Sequence, residues 1–166
     1  MTHRSDHNQP LGRAHWTTHL PDETATEQLG GSLAQYLAPG MRIYLHGELG
    51  TGKTTLIRGL LRRLGVRNGV KSPSYALVEL YVVSRLNLYH FDFYRFTSPN
   101  EFGAAGFADY FGGDGVCLVE WPEKAAGALP PPDLELWLTY ANRGRDVDID
   151  ALTEVGKRCL TKLRSA

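Results

Sequence analysis

Apolar residues fall in short runs whose spacing switches between period two and period three-to-four, a pattern that predicts strands separated by helices. After a polar start, "HWTTHL" (15–20) reads as a first strand. Pro21-Asp22-Glu23 opens a helix with apolar positions Leu29, Leu33, Tyr36 and Leu37, and Pro39-Gly40 closes it. "MRIYLH" (41–46) predicts a short buried strand. "KTTLIRGLLRRLG" (53–65) sets Leu56, Leu60, Leu61 and Leu64 at helical spacing before the stop at Gly65. The long run 75–92 is rich in β-branched and aromatic residues and breaks near Ser84-Arg85, which predicts two antiparallel strands and a tight turn. "GVCLVEW" (115–121) predicts a core strand, "DLELWLTYA" (133–141) an alternating one, and "DIDALTEVGKRCLTKL" (148–163) a closing helix. The alternation predicts an α/β layered fold with a largely parallel central sheet and one antiparallel hairpin.

A chain of 166 residues with 42% hydrophobic composition predicts one domain, 15–166, preceded by a polar, disordered tail, 1–14. Lys plus Arg and Asp plus Glu stand at 18 each, so no global basic field suits DNA as a non-specific partner. Arg58, Arg62, Arg63 and Arg67 read as a solvated helix face. Cys117 and Cys159 form no C-x-x-C pair, which speaks against a disulfide framework or a cysteine metal site and fits a reduced cytoplasm. No apolar run reaches the length of a membrane span, and the start of the chain lacks the apolar core of a signal peptide.

The chemistry concentrates in "HGELGTGKTT" (46–55). Gly47, Gly52, Lys53 and Thr54 fit G-x-x-x-x-G-K-[ST] without a gap, between a predicted strand and a predicted helix. In that setting the backbone of Gly47, Glu48, Leu49, Gly50, Thr51, Gly52, Lys53, Thr54 and Thr55 curls around a phosphate at the positive end of the helix dipole. Lys53 is expected to reach the β- and γ-phosphates of a nucleotide triphosphate, and the Thr54 hydroxyl to ligate Mg²⁺. A hydrolase also needs a second oxygen for Mg²⁺ and a group that orients water. Asp92 and Glu120 close apolar runs, so each is expected at the carboxyl end of a strand, where open α/β sheets keep their ligands. His90 and Tyr94 flank Asp92 at two-residue spacing, on one face of an extended segment, and His90 by itself reads as a packed core histidine.

Four stretches in order, "GELGTGKTT", "SPSYALVELY", "YHFDFYR" and "VEWPEK", resemble the TsaE family over residues 16–160. The resemblance implies a P-loop NTPase-like three-layer fold and a Mg²⁺-dependent ATPase. It also implies a role in the threonylcarbamoyl modification of tRNA adenosine in the cytoplasm, with TsaB and TsaD as partners, tRNA met only through that complex, and neither DNA nor membrane. It assigns catalysis to Lys53, Asp92 and Glu120 and Mg²⁺ binding to Thr54, Asp92 and Glu120. Trp121 stands where the family has a nucleotide-proximal tryptophan. Ser74 replaces the usual threonine of a switch-like "S-P-T", keeping the hydroxyl and losing the methyl.

A small-molecule P-loop kinase is the competing enzyme class. Such enzymes carry arginine-rich lids late in the chain, where only Arg143 and Arg145 occur before the last helix. A GTPase reading meets a D-x-x-G at 109–112 but no N-K-x-D. Arg95, just past Asp92, is the one internal arginine expected near a transferred phosphoryl group, so hydrolysis is expected to depend on partners.

Overall fold

The computed structural model describes residues 14–83 and 85–166, so the predicted tail lies outside them up to residue 13. Asp22 caps the first helix by accepting from the Ala25 N–H at 2.8 Å. The elements run β1 (Ala14–Leu20), α1 (Glu23–Ala34), β2 (Arg42–His46), α2 (Lys53–Arg63), β3 (Val78–Val83) and β4 (Leu86–Asp92). A short α3 (Asn100–Ala104) and a 3-10 turn (Phe107–Gly112) lead to β5 (Val116–Glu120), then a second 3-10 turn (Pro122–Ala125), β6 (Leu134–Tyr140), β7 (Arg145–Ala151) and α4 (Glu154–Arg164).

All seven strands join one sheet in the order β1-β7-β6-β2-β5-β4-β3. The predicted hairpin is β3–β4, antiparallel. The sheet is mixed, however, and not largely parallel. The pairs β6–β2, β2–β5 and β5–β4 are parallel, whereas β1–β7, β7–β6 and β4–β3 are antiparallel. The difference comes from β7, which the sequence reading merged into the closing helix. In "RDVDIDA" aspartate disfavours a strand, but Val147, Ile149 and Ala151 alternate into the core while the aspartates face β1. There Asp150 meets His15 at 2.6 Å and Asp148 accepts from the Thr17 hydroxyl at 2.6 Å.

Each sheet face has its own core. On one side Leu33, Ile57, Leu60 and Leu160 from α1, α2 and α4 close over Ile43, Leu45, Leu118, Leu136 and Ile149. On the other, Phe102, Phe107 and Phe111 cover Tyr44, Phe91, Cys117 and Val119. Period-two alternation along β2 and β5 divides the two. Helices α1 and α2 cross with backbones in contact, since a Cβ on Gly30 would strike the Leu56 carbonyl and one on Gly59 the backbone of Glu27. Along that seam Arg62 pairs with Glu27 at 2.7 Å and Arg58 with Glu23 at 3.8 Å, on the helix face read as solvated. Among the described residues no helix is long and apolar enough to cross a membrane.

Candidate functional site

Strand β2 delivers the chain into the glycine loop, and α2 begins where the loop ends. Gly50 and Gly52 hold φ of 79° and 104°, in the left-handed region that glycine enters without strain. A Cβ on Gly47 would collide with the Thr51 hydroxyl and the Leu138 carbonyl. The buried Thr51 tightens the turn by donating its hydroxyl to the Glu48 carbonyl at 2.8 Å, while Leu49 stays exposed. As N-cap of α2, Gly52 supplies no side-chain hydrogen bond, so its first-turn N–H groups lack that internal partner.

Lys53 is buried and donates to the Gly47 carbonyl at 2.5 Å and the Glu48 carbonyl at 2.9 Å. Its amine also sits 4.5 Å from the Trp121 ring centre. Burial pulls the amine below the usual lysine range, against the opposing influence of Glu120, Glu123 and Asp92. Trp121 reaches this position in a left-handed conformation at φ 57°, and its ring lies 5.0 Å from that of Tyr94. A bulky side chain held there is a strained feature of the kind that clusters at functional sites.

The carboxylates converge as their strand ends required. Asp92 closes β4 and Glu120 closes β5, and the two are direct partners in the parallel register. Both are buried. Thr54, one residue into α2, donates its hydroxyl to Glu120 with Oε1 and Oε2 at 2.9 and 3.0 Å. Asp92 accepts from the Tyr94 N–H at 2.8 Å and from the Ser72 hydroxyl. Ser74 lies in the same turn, closed by the Leu77 N–H on the Pro73 carbonyl at 2.6 Å, but it is Ser72 that reaches the carboxylate. His90 does share a face with Asp92; Tyr94 lies past the end of the strand and is 40% exposed. Among the described residues no three His, Cys, Asp or Glu side chains are arranged to hold a metal alone. An ion here would draw on Thr54 and on ligand oxygens as well.

Sequence reasoning missed three groups. His46, next to the loop, stacks on Trp137 with ring centres 3.8 Å apart and bridges Glu123 at 3.4 Å and Glu135 at 3.0 Å. Burial opposes its charged form, yet the hydrogen bonds to Glu123 and Glu135 prevail and raise its pKa above the usual histidine value. Tyr140 and Arg145, at the turn end of the β6–β7 hairpin, donate to the Leu49 and Gly50 carbonyls, the latter at 3.4 Å. Arg145 hid in the strand that was not foreseen. Arg95, the arginine expected at the site, instead lies over the Tyr75 ring, 3.9 Å from its centre.

The family model described as threonylcarbamoyl adenosine biosynthesis protein TsaE matches residues 20–147. The chain is 39% identical over 150 residues to the tRNA threonylcarbamoyladenosine biosynthesis protein TsaE of Haemophilus influenzae, an alignment spanning 87% of this chain and 95% of that protein. It is 36% identical over 143 residues to the protein of the same name in Bacillus subtilis, across 86% and 87% of the two chains. The crystal structure of Bacillus subtilis YdiB superposes with a TM-score of 0.78 at 28% identity, covering 95% of this chain and 98% of that one. On these matches, the chain belongs to the TsaE family.

Proposed function

We propose that this chain binds ATP with Mg²⁺ in the loop between β2 and α2, and hydrolyses it to support threonylcarbamoyl modification of tRNA adenosine together with TsaB and TsaD in the cytoplasm. The observation that carries this reading is the meeting of Thr54, Asp92 and Glu120 at the start of α2, beside a buried lysine and a glycine loop. The strand–loop–helix unit and its place in the sheet suit a P-loop NTPase-like domain spanning residues 15–166.

The residues fit the ligands. A helix start without a side-chain cap, glycines that leave no Cβ in the turn and one lysine make a polyphosphate site. The hydroxyl and two carboxylates are hard oxygen donors suited to Mg²⁺. Gly47 through Thr55 would hold the phosphates, and Lys53 would exchange its two loop carbonyls for phosphate oxygens. Trp121 would close the site beside Lys53. Mg²⁺ bound there would supply charge neutralisation to the triphosphate. Asp92, fixed by Ser72 and the Tyr94 N–H, would hold the metal side, with Ser74 in the adjoining turn. Glu120 would orient water and accept its proton.

The test is Mg²⁺-dependent release of phosphate from ATP by the purified chain, alone and with TsaB and TsaD, alongside calorimetric ATP binding. Absence of both binding and turnover under every condition would overturn the reading.

A further inference from the structure

We propose that His90 is a positioning residue for Glu120, holding one carboxylate oxygen so that the other is free to orient water; this rests on the ATPase reading above. His90 is fully buried in β4, two residues before Asp92, and faces the aliphatic side of the sheet with Leu88. Its Nε2 lies 2.7 Å from Glu120 Oε2, where an Nε2–H would donate to the carboxylate. The other ring nitrogen, Nδ1, is buried with no hydrogen-bond partner among the described residues.

That arrangement is a poor bargain for stability. An unpaired buried ring nitrogen is unfavourable, and a leucine or methionine would suit the neighbouring Leu88 and Leu118 better. What the imidazole provides is a fixed donor to a carboxylate that is itself 3% exposed. Thr54 also donates to Glu120, but the same hydroxyl is the expected metal contact, so it cannot orient the carboxylate independently of the ligand. His90 can, because Glu120 is its one hydrogen-bond partner among the described residues. With Oε2 held by the imidazole, Oε1, which accepts from the Thr54 hydroxyl at 2.9 Å in the ligand-free chain, is the oxygen released to a water once that hydroxyl turns to the metal.

The experiment compares the full chain with His90→Met and His90→Gln, the second keeping an N–H donor near the position of Nε2. Turnover is measured with TsaB and TsaD present, ATP affinity by calorimetry and folding by thermal melts. His90→Met should lower kcat about tenfold or more with ATP affinity within about twofold, and His90→Gln should recover most of the loss. The ligand-free chain should show a hydrogen on His90 Nε2 in long-range ¹H–¹⁵N spectra, with the Nε2 resonance displaced in Glu120→Gln. Unchanged kcat in His90→Met, equal losses in both variants, parallel loss of affinity, or an Nδ1–H tautomer would each overturn the proposal. A wild-type chain that neither binds nor hydrolyses ATP would overturn the ATPase reading instead, and the spectra would still report whether His90 holds Glu120.

Discussion

Lys53 satisfies itself on two carbonyls of its own loop, so a bound phosphate must replace both hydrogen bonds and then gains a charge-assisted pair in a partly desolvated site. Lys53→Ala should weaken ATP binding by about 10- to 100-fold, as charged hydrogen bonds worth about 1.5–3 kcal/mol imply, and abolish turnover; calorimetry and phosphate release check both. The two carboxylates should separate. Glu120→Gln should keep ATP bound and slow hydrolysis by about 10²-fold, whereas Asp92→Asn should weaken binding and flatten its dependence on Mg²⁺. A Mg²⁺ titration of each variant distinguishes the roles, and normal hydrolysis by Glu120→Gln would show them misassigned. His46 makes a pH prediction. Its folded pKa is raised, so its stabilising contribution is full below the ordinary value of 6.5 and is lost as pH rises through the raised value. Glu123 is held below its ordinary 4.5 because the bond to His46 overcomes burial, so its contribution exists above 4.5 and fades as pH falls through the lowered value. Melting temperature should therefore decline from about pH 6.5 upward in wild type, and the decline should be reduced in His46→Gln.

Among elements, the β6–β7 hairpin braces the glycine loop from outside. Gly144 at its turn, φ 70°, lies against the Leu20 and Pro21 backbone, which fixes the hairpin beneath the start of α1. Arg145→Met should leave the fold intact and raise the ATP dissociation constant several-fold, since only a long contact to the Gly50 carbonyl and the packing of the guanidinium on Gly52 are lost. An unchanged constant would show that the loop holds itself. The same hairpin marks the limit of what the sequence disclosed. Elements with strong local signals were legible: the Asp22-capped α1, the fully buried β5, the β3–β4 hairpin and the loop with its helix. β7 was not, because three aspartates suppress strand propensity and are compensated by side chains on β1 that lie far away in sequence. Likewise Lys53, Thr54, Asp92 and Glu120 were legible through spacing and strand ends. His46, Tyr140 and Arg145 depend on tertiary contacts that no local pattern records, and the switch-like segment 72–74 did not reveal that Ser72 is the residue that reaches Asp92.

At the scale of the molecule, the predicted site opens beside surface that the chain does not cover: Leu49 is 60% exposed, and Tyr75, which carries Arg95, is 84% exposed. With Arg95 engaged on Tyr75 and Arg145 on the loop, the chain alone should turn ATP over slowly. TsaB and TsaD should raise the single-turnover rate at saturating Mg²⁺-ATP by 10-fold or more, toward the roughly 10³ to 10⁵ that a completing cation supplies. A fast rate unaffected by partners would show the site already complete. The sheet order also carries a cost in time. β1 stands at the edge with β7 as its one strand neighbour, and the His15–Asp150 pair joins residues 135 positions apart. A ribosome releases the chain from its beginning, so β1 must wait, unpaired, until β7 has emerged. Its polar face of His15, Thr17 and His19 limits what a neighbouring nascent chain can stick to during that interval, while Trp16 and Leu20 on the other face stay uncovered until the core closes.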